Sequence, residues 1–387
     1  MIGPSVDQKS RQYLIPGSCL GMIAIVFVAA LWPFQAPRNR VSWLGDRAGL
    51  RFERYSTAIS PKPFKAMKSS AGCTLELWLG SARSGKGTIL AFAGSNGSRV
   101  PFTLRQVGDN LALVRYEVDT KGEVIRPWLR VDHVFKAPDA FVTITSGAKG
   151  TNVYVNGSLA KSVRNYGLKR EDFSGQLILG TSTINDSWTG EIRGLAIYPT
   201  ELTADAVRAQ VESWRTAGTS PGSPSADALY RFEERAGNLA SNDRDAKLGL
   251  IIPANYTVLN NPFLQSPLVH YHDRWSAAYH WPYWADAAVN IAGFVPVGFC
   301  FLGYASSVKK WRHPVTLVIF SGFLLSLTVE MLQALLPTRN SGLTDVITNT
   351  LGTGLGAWLF CQPQLQRVWG GLVAARGARA TIEEFAA

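Results

Sequence analysis

The chain has 387 residues, room for two or three domains, and its 46% hydrophobic content averages very apolar stretches with a polar part. The formal charge of +11 is spread along the chain rather than gathered into a basic run, which argues against nucleic-acid binding and points to basic loops beside membrane helices. Only one of the four cysteines, Cys73, lies outside apolar segments; a disulfide within a soluble domain is excluded, and no CxxC motif is present for metal or redox chemistry.

Lys9 and Arg11 precede an apolar run from Leu14 to about Phe34. A short basic start before an apolar core also fits a signal peptide. However, no small-residue cleavage site follows, and the run closes on Leu31-Trp32-Pro33-Phe34 with tryptophan at interface depth. A retained membrane helix is expected.

The next two hundred residues read as all-β. Runs rich in β-branched and aromatic residues recur between Gly, Asn and Ser turns, at Thr74–Leu79, Thr88–Phe92, Phe102–Gln106, Ala112–Glu117, Trp128–Val134, Phe141–Thr145, Asn152–Val155, Gln176–Leu179 and Gly190–Tyr198. Such spacing predicts a sandwich or jelly roll. Asn156-Gly157, between Val155 and Leu159, is the sharpest hairpin signal in the chain. Gly49-Leu50-Arg51-Phe52 and Leu229-Tyr230-Arg231-Phe232-Glu233 read as flanking strands, and Thr216–Ser225 as a loop or linker. Gly80–Gly87 nearly spells a phosphate-binding loop, but no Ser or Thr stands directly after Lys86 and strand residues follow where a helix is required, so a turn is expected.

Particular phrases here resemble the laminin G-like, concanavalin A-like jelly-roll superfamily. They are Thr74–Trp78 (TLELW), Val153–Gly157 (VYVNG), Leu177–Gly180 (LILG), and Trp188–Tyr198 (WTGEIRGLAIY) followed by Glu201–Val207 (ELTADAV), where a strand and then a short helix would close the domain. The resemblance implies carbohydrate binding. No close acidic pair flanked by aromatics marks a glycosidase, and no Asp/Asn cluster marks a calcium loop.

Between the β region and the next helix lie His270, His272, Asp273 and His280 among Tyr271, Trp275, Tyr279, Trp281, Tyr283 and Trp284. Histidines at i, i+2 with a third nearby could hold zinc. An aromatic belt at a membrane interface explains the segment at less cost, and no metal site is expected.

From Asp286 onward, polar residues sit inside segments apolar enough for a bilayer, where an ionisable side chain is a functional hypothesis by default. Asp286 and Asn290 share a face at i, i+4; Pro296, in Phe294–Gly298, frees a carbonyl one turn back. The run Pro314–Leu336 carries Glu330 and Gln333 on one face and ends at Pro337. Asp345, Asn349, Gly352 and Gly356 then follow at i, i+4, i+7, i+11, one stripe that must face protein. Helical rise puts Glu330 roughly 10 Å below the Arg339 loop and Asn349 and Gly352 roughly 6 to 10 Å below Asp345. A small polar pocket roofed by Arg339 is expected.

The phrases Asn290–Phe299 (N-I-x-x-F-x-P-x-G-F), Glu330–Arg339 (E-x-x-Q-x-x-x-P-x-R) and Asp345–Gly356 (D-V-x-x-N-x-x-G-x-x-x-G) resemble the VanZ-like family of bacterial membrane proteins. That family is named for a protein associated with low-level resistance to the glycopeptide teicoplanin. The resemblance implies a cell-envelope protein and leaves any reaction open.

The expected architecture is mixed: an α-helical bundle of about four transmembrane helices with an extracytoplasmic all-β jelly roll inserted after the first. Its parts are 1–42, cytoplasmic start and first helix; 43–260, jelly roll; 261–285, aromatic segment; 286–376, three-helix VanZ-like region; and 377–387, cytoplasmic tail. The basic loop Lys309–His313 and the tail arginines Arg367, Arg376 and Arg379 put both termini inside and residues 35–285 outside the inner membrane. Catalytic candidates are Glu330, Arg339 and Asp345, and binding candidates Asn290, Gln333 and Asn349. Pro296, Gly298, Gly352 and Gly356 are assigned to helix packing. The competing reading makes the polar residues an ion-pair and hydrogen-bond network that holds three helices together. The expected partners are membrane lipids and a surface glycan, glycopeptide or lipid-linked cell-wall precursor, bound, modified or shielded, with no cofactor. An enzyme on a polyprenyl-linked or phospholipid substrate and a scaffold recruiting a protein partner are the alternatives.

Overall fold

The computed structural model describes residues 6–65, 72–80, 85–94, 100–118, 124–217, 226–259, 261, 263–265, 277–308 and 313–367. It divides into a helical unit, residues 1–35 with 262–387, and a β unit, residues 36–261.

The β unit is a sandwich of two antiparallel sheets. One orders its strands 42–43, 50–52, 190–198, 73–80, 139–147, 150–155 and 158–163, with 228–230 alongside 190–198; the other runs 128–131, 110–115, 102–107, 86–93, 176–179, 58–59, 250–251 and 239–240. Alternation decides which side chains meet between them. On Cys73–Gly80, Leu75, Leu77 and Leu79 turn into the core with Leu90, Phe92, Phe102, Leu113 and Phe173, all buried. The Asn-Gly hairpin forms between 150–155 and 158–163, with Asn156 at φ 54° and Gly157 at φ 83°, the left-handed pair that a two-residue turn requires. The segment at 80–87 is a strand connection, with a strand from Lys86 to Ala93; residues 81–84 lie outside the described set.

The outward side of the first sheet is covered as well. Helix α2 (Ala204–Ala217) buries Val207, Val211 and Trp214, at i, i+4, i+7, the last two against Phe141, Ala196, Tyr198 and Leu229. It is longer than the short closing helix expected. Gly194 makes the approach possible: the ladder slips between Ile192 and Gly194, and a Cβ there would stand 1.7 Å from the Trp214 ring.

The helical unit contains α1 (Val6–Leu31), α3 (Ala277–Val308), α4 (Pro314–Gln333) and α5 (Leu343–Phe360). α1 packs Val26 and Met22 beside Phe294, Val297 and Val329; Leu302, Ala305, Val318, Ala357 and Phe360 join α3, α4 and α5. Two stretches are long and apolar enough to cross a membrane, Trp284–Ser306 and Pro314–Gln333, whereas the described apolar part of α1 is shorter, Pro16–Leu31. Of the four expected spans, these two meet that length and composition among the described residues. Asp345, Asn349 and four threonines among its 18 residues keep α5 from joining them. His270, His272 and Asp273, with the side chain of His280, lie outside the described residues.

Candidate functional site

The polar residues of the helical unit come together around the loop between α4 and α5. Glu330, 2% exposed near the end of α4, accepts a hydrogen bond of 2.8 Å from the backbone N–H of Gly342, the N-cap of α5. A carboxylate there satisfies a donor that the helix leaves unpaired and meets the positive end of its dipole. Ser341, fully buried, bonds the Glu330 side chain and accepts the N–H of Leu264 at 3.2 Å. Gln265 pairs with the same loop: its N–H meets the Ser341 carbonyl at 2.9 Å, and its carbonyl receives the Leu343 N–H at 3.0 Å. A short chain segment thus closes over Glu330.

In the first turn of α5, Asp345 accepts the Asn290 amide of α3 at 2.9 Å, with Asp286 nearby. Deeper still, Asn349 donates to the Ser326 hydroxyl of α4 at 2.9 Å, in a buried contact whose lower wall is Thr353. The Asn349 side-chain oxygen Oδ1 has no hydrogen-bond partner among the described residues, while its backbone carbonyl accepts the Thr353 hydroxyl at 3.0 Å. Gln333 donates to the Ala30 carbonyl at 3.0 Å, and Arg339 donates through Nη2 to the Trp32 carbonyl at 2.8 Å. Both reach the end of α1. Arg339, expected to roof the pocket, bonds backbone at the end of the first helix.

The glycine stripe lies against α3 backbone. A Cβ at Gly352 would stand 2.3 Å from the Ile291 carbonyl oxygen, one at Gly356 2.0 Å from that of Val295, and one at Gly298 1.9 Å from that of Thr353. Only glycine permits so close a crossing. Pro296 takes no part in this seam, because its side chain is on the exposed side of α3. Sequence reasoning missed Gly322, whose Cβ would meet the Thr353 hydroxyl at 2.3 Å, and Ser326 and Ser341. Ser326 stands one turn before Glu330 on α4, so the i, i+4 spacing that marked Asp286 and Asn290 would have found it.

Removing the Asn290 amide leaves the Asp345 carboxyl short of its donor. Asn290→Ala is expected to lower the resistance of the helical unit to detergent unfolding by about 1–3 kcal/mol, and Asn290→Asp by more. An unchanged unfolding midpoint for both would show that the bond carries no weight.

In the β unit, charged groups pair among themselves. Arg193 bridges Glu191 and Asp139 at 2.9 Å each, and Arg115 holds Asp172 and Glu117 at 2.6 Å each. Among the described residues no three His, Cys, Asp or Glu side chains gather as a metal ion would require.

Residues 236–366 match the VanZ/LLP1 family model, and residues 54–208 match that of the concanavalin A-like lectin/glucanases superfamily. Comparison with curated proteins gave no match. Among solved structures, the ligand binding domain of botulinum neurotoxin serotype D in complex with N-acetylneuraminic acid is 14% identical, with a TM-score of 0.34 over 46% of this chain and 45% of that one. A Bacteroides ovatus protein described as a candidate carbohydrate binding protein is 14% identical, with a TM-score of 0.37 over 53% and 57%. The chain spans about half the length of these structures. The two family matches and the two folds put a VanZ-like segment and a concanavalin A-like β-sandwich in one chain, with two helices among the described residues long and apolar enough to cross a membrane. Residues 236–366 are the VanZ-like part, and the concanavalin A-like domain lies in sequence between the first helix and the later three.

Proposed function

We propose that this chain is a multi-pass protein of the bacterial cytoplasmic membrane that holds a glycan-binding sandwich outside the cell's inner compartment. The observation that carries the reading is the union, in one chain, of a VanZ-like segment bearing membrane-length helices with a sandwich matching the concanavalin A-like lectin superfamily. In this reading all four long helices enter the bilayer, both termini are cytoplasmic, and the sandwich meets a surface glycan, a glycopeptide or the sugar of a lipid-linked cell-wall precursor. Glu330, Gln333, Arg339, Asp345, Asn290 and Asn349 keep the helices in register; their bonds to neighbouring helices and loops support that role over an open catalytic pocket.

The test uses the full chain in detergent. Immobilised cell-wall glycan is expected to retain it, free sugar to release it, and a chain lacking residues 43–260 to pass through. Retention of both forms, or of neither, would sink the lectin reading. In parallel, cells making the full chain or Arg339→Ala, at matched membrane levels, are compared for glycopeptide susceptibility. Protection lost with Arg339→Ala while the protein stays folded would move the function into the helical cluster.

A further inference from the structure

The space between α2 and the first sheet holds a group of polar atoms that packing alone does not explain. Glu76, Thr143 and Thr145 are fully buried there, and Trp214 of α2, with no exposed surface of its own, packs against Phe141 and brings its indole near Glu76. Glu76 and Thr143 are direct cross-strand partners, and Thr145 is the next residue on the same face of its strand, opposite Thr74. One carboxylate oxygen of Glu76 accepts the Tyr198 hydroxyl at 3.1 Å. Its other oxygen has no hydrogen-bond partner among the described residues, and neither have the hydroxyls of Thr143 and Thr145. The Trp214 indole N–H lies near the carboxyl without reaching hydrogen-bond geometry, and one turn earlier on α2 the Gln210 carbonyl oxygen is unpartnered too.

Leaving a buried polar atom unpaired is costly, so several in one place need a common partner. The group is rich in oxygen and carries one formal negative charge. Among the described residues, the groups that act on Glu76 are Tyr198 and Trp214, and neither is basic. A phosphate or carboxylate would be repelled. A divalent cation would leave a buried positive charge uncompensated, whereas a monovalent ion cancels the carboxylate and takes the hydroxyl oxygens as neutral ligands. We propose that Glu76, Thr143 and Thr145, with Trp214 beside Glu76, form a binding site for one alkali cation that fastens α2 to the sheet. The site lies apart from any glycan-facing surface and does not rest on the lectin reading.

The full chain in nanodiscs is unfolded by heat at pH 8 in sodium, potassium or tetramethylammonium chloride at equal ionic strength. Tetramethylammonium is too large for a closed site. A higher and saturable midpoint for the β unit is expected in sodium or potassium, by about 2–4 °C once the ion is well above its dissociation constant. Glu76→Gln and, separately, Thr143→Val are expected to abolish the difference between salts; the second keeps the protein testable if the first fails to fold. Equal midpoints in all three salts, the result if ordered water alone satisfies these atoms, would overturn the proposal. So would a salt difference that survives in both variants.

Discussion

Gly356→Leu is expected to separate α3 from α5 and to lower the stability of the helical unit by at least about 3 kcal/mol. The alanine series gives the sharper reading. In a helix, glycine to alanine ordinarily gains up to about 1 kcal/mol, because alanine confines the unfolded chain and loses little on folding. At Gly354 a Cβ would meet only the Ile319 side chain, at 3.8 Å, and at Gly293 it would meet nothing. Alanine at those positions should be neutral or stabilising. At Gly352 and Gly356 the same methyl would stand 2.3 and 2.0 Å from carbonyl oxygens of α3, so the sign must reverse. Unfolding of the four variants in graded detergent mixtures separates a backbone seam from mere helix propensity. If Gly356→Ala behaves like Gly354→Ala, the close crossing is wrong.

That seam was legible in the sequence, since a stripe at i, i+4, i+7, i+11 can be drawn on a helix without knowing its neighbour. The identity of the neighbour was not. Gln333 and Arg339 find the carbonyls of Ala30 and Trp32 some three hundred residues away, and no local pattern encodes a bond to backbone. Glu330 stood out as a buried charge, yet its partner is the N–H of Gly342, an atom every non-proline residue possesses.

The sandwich strands were readable where one face is apolar, as on Cys73–Gly80, and less so where both faces differ from that pattern. The edge strand Ser158–Val163 is exposed almost throughout, and only the Asn-Gly turn before it announced a partner. Glu76 shows the opposite failure. In Thr-Leu-Glu-Leu-Trp it sits where alternation predicts solvent, and it is buried because α2, more than a hundred residues later, covers that face. Val207, Val211 and Trp214 carried the signal at helical spacing. Reading them as a covering face would have exposed the conflict.

That conflict gives the second large effect. Burial raises the Glu76 carboxyl from its ordinary value of 4.5 to about 7, with Tyr198 and Trp214 holding it back only in part. The folded protein therefore binds this proton more tightly than the unfolded chain does. The stability it contributes is present in full below about pH 4.5 and is lost as pH rises through about 7. At about 1.4 kcal/mol per unit, the loss comes to about 3 kcal/mol. Glu191 has the opposite sign: burial opposes its charge, but Arg193 and Arg51 outweigh burial and hold its pKa below the ordinary value. A single pH profile therefore mixes opposing contributions. The informative quantity is the difference between the wild-type chain and Glu76→Gln, measured by denaturant unfolding of the β unit between pH 4.5 and 8. Tetramethylammonium chloride is the appropriate salt, because an alkali ion at the site would stabilise the charged form. Glu76→Gln is expected to gain on the wild type steadily as pH rises and to level off above pH 7. A difference that stays flat across the window would mean that Glu76 titrates as an ordinary carboxylate, and that α2 does not seal the face it covers.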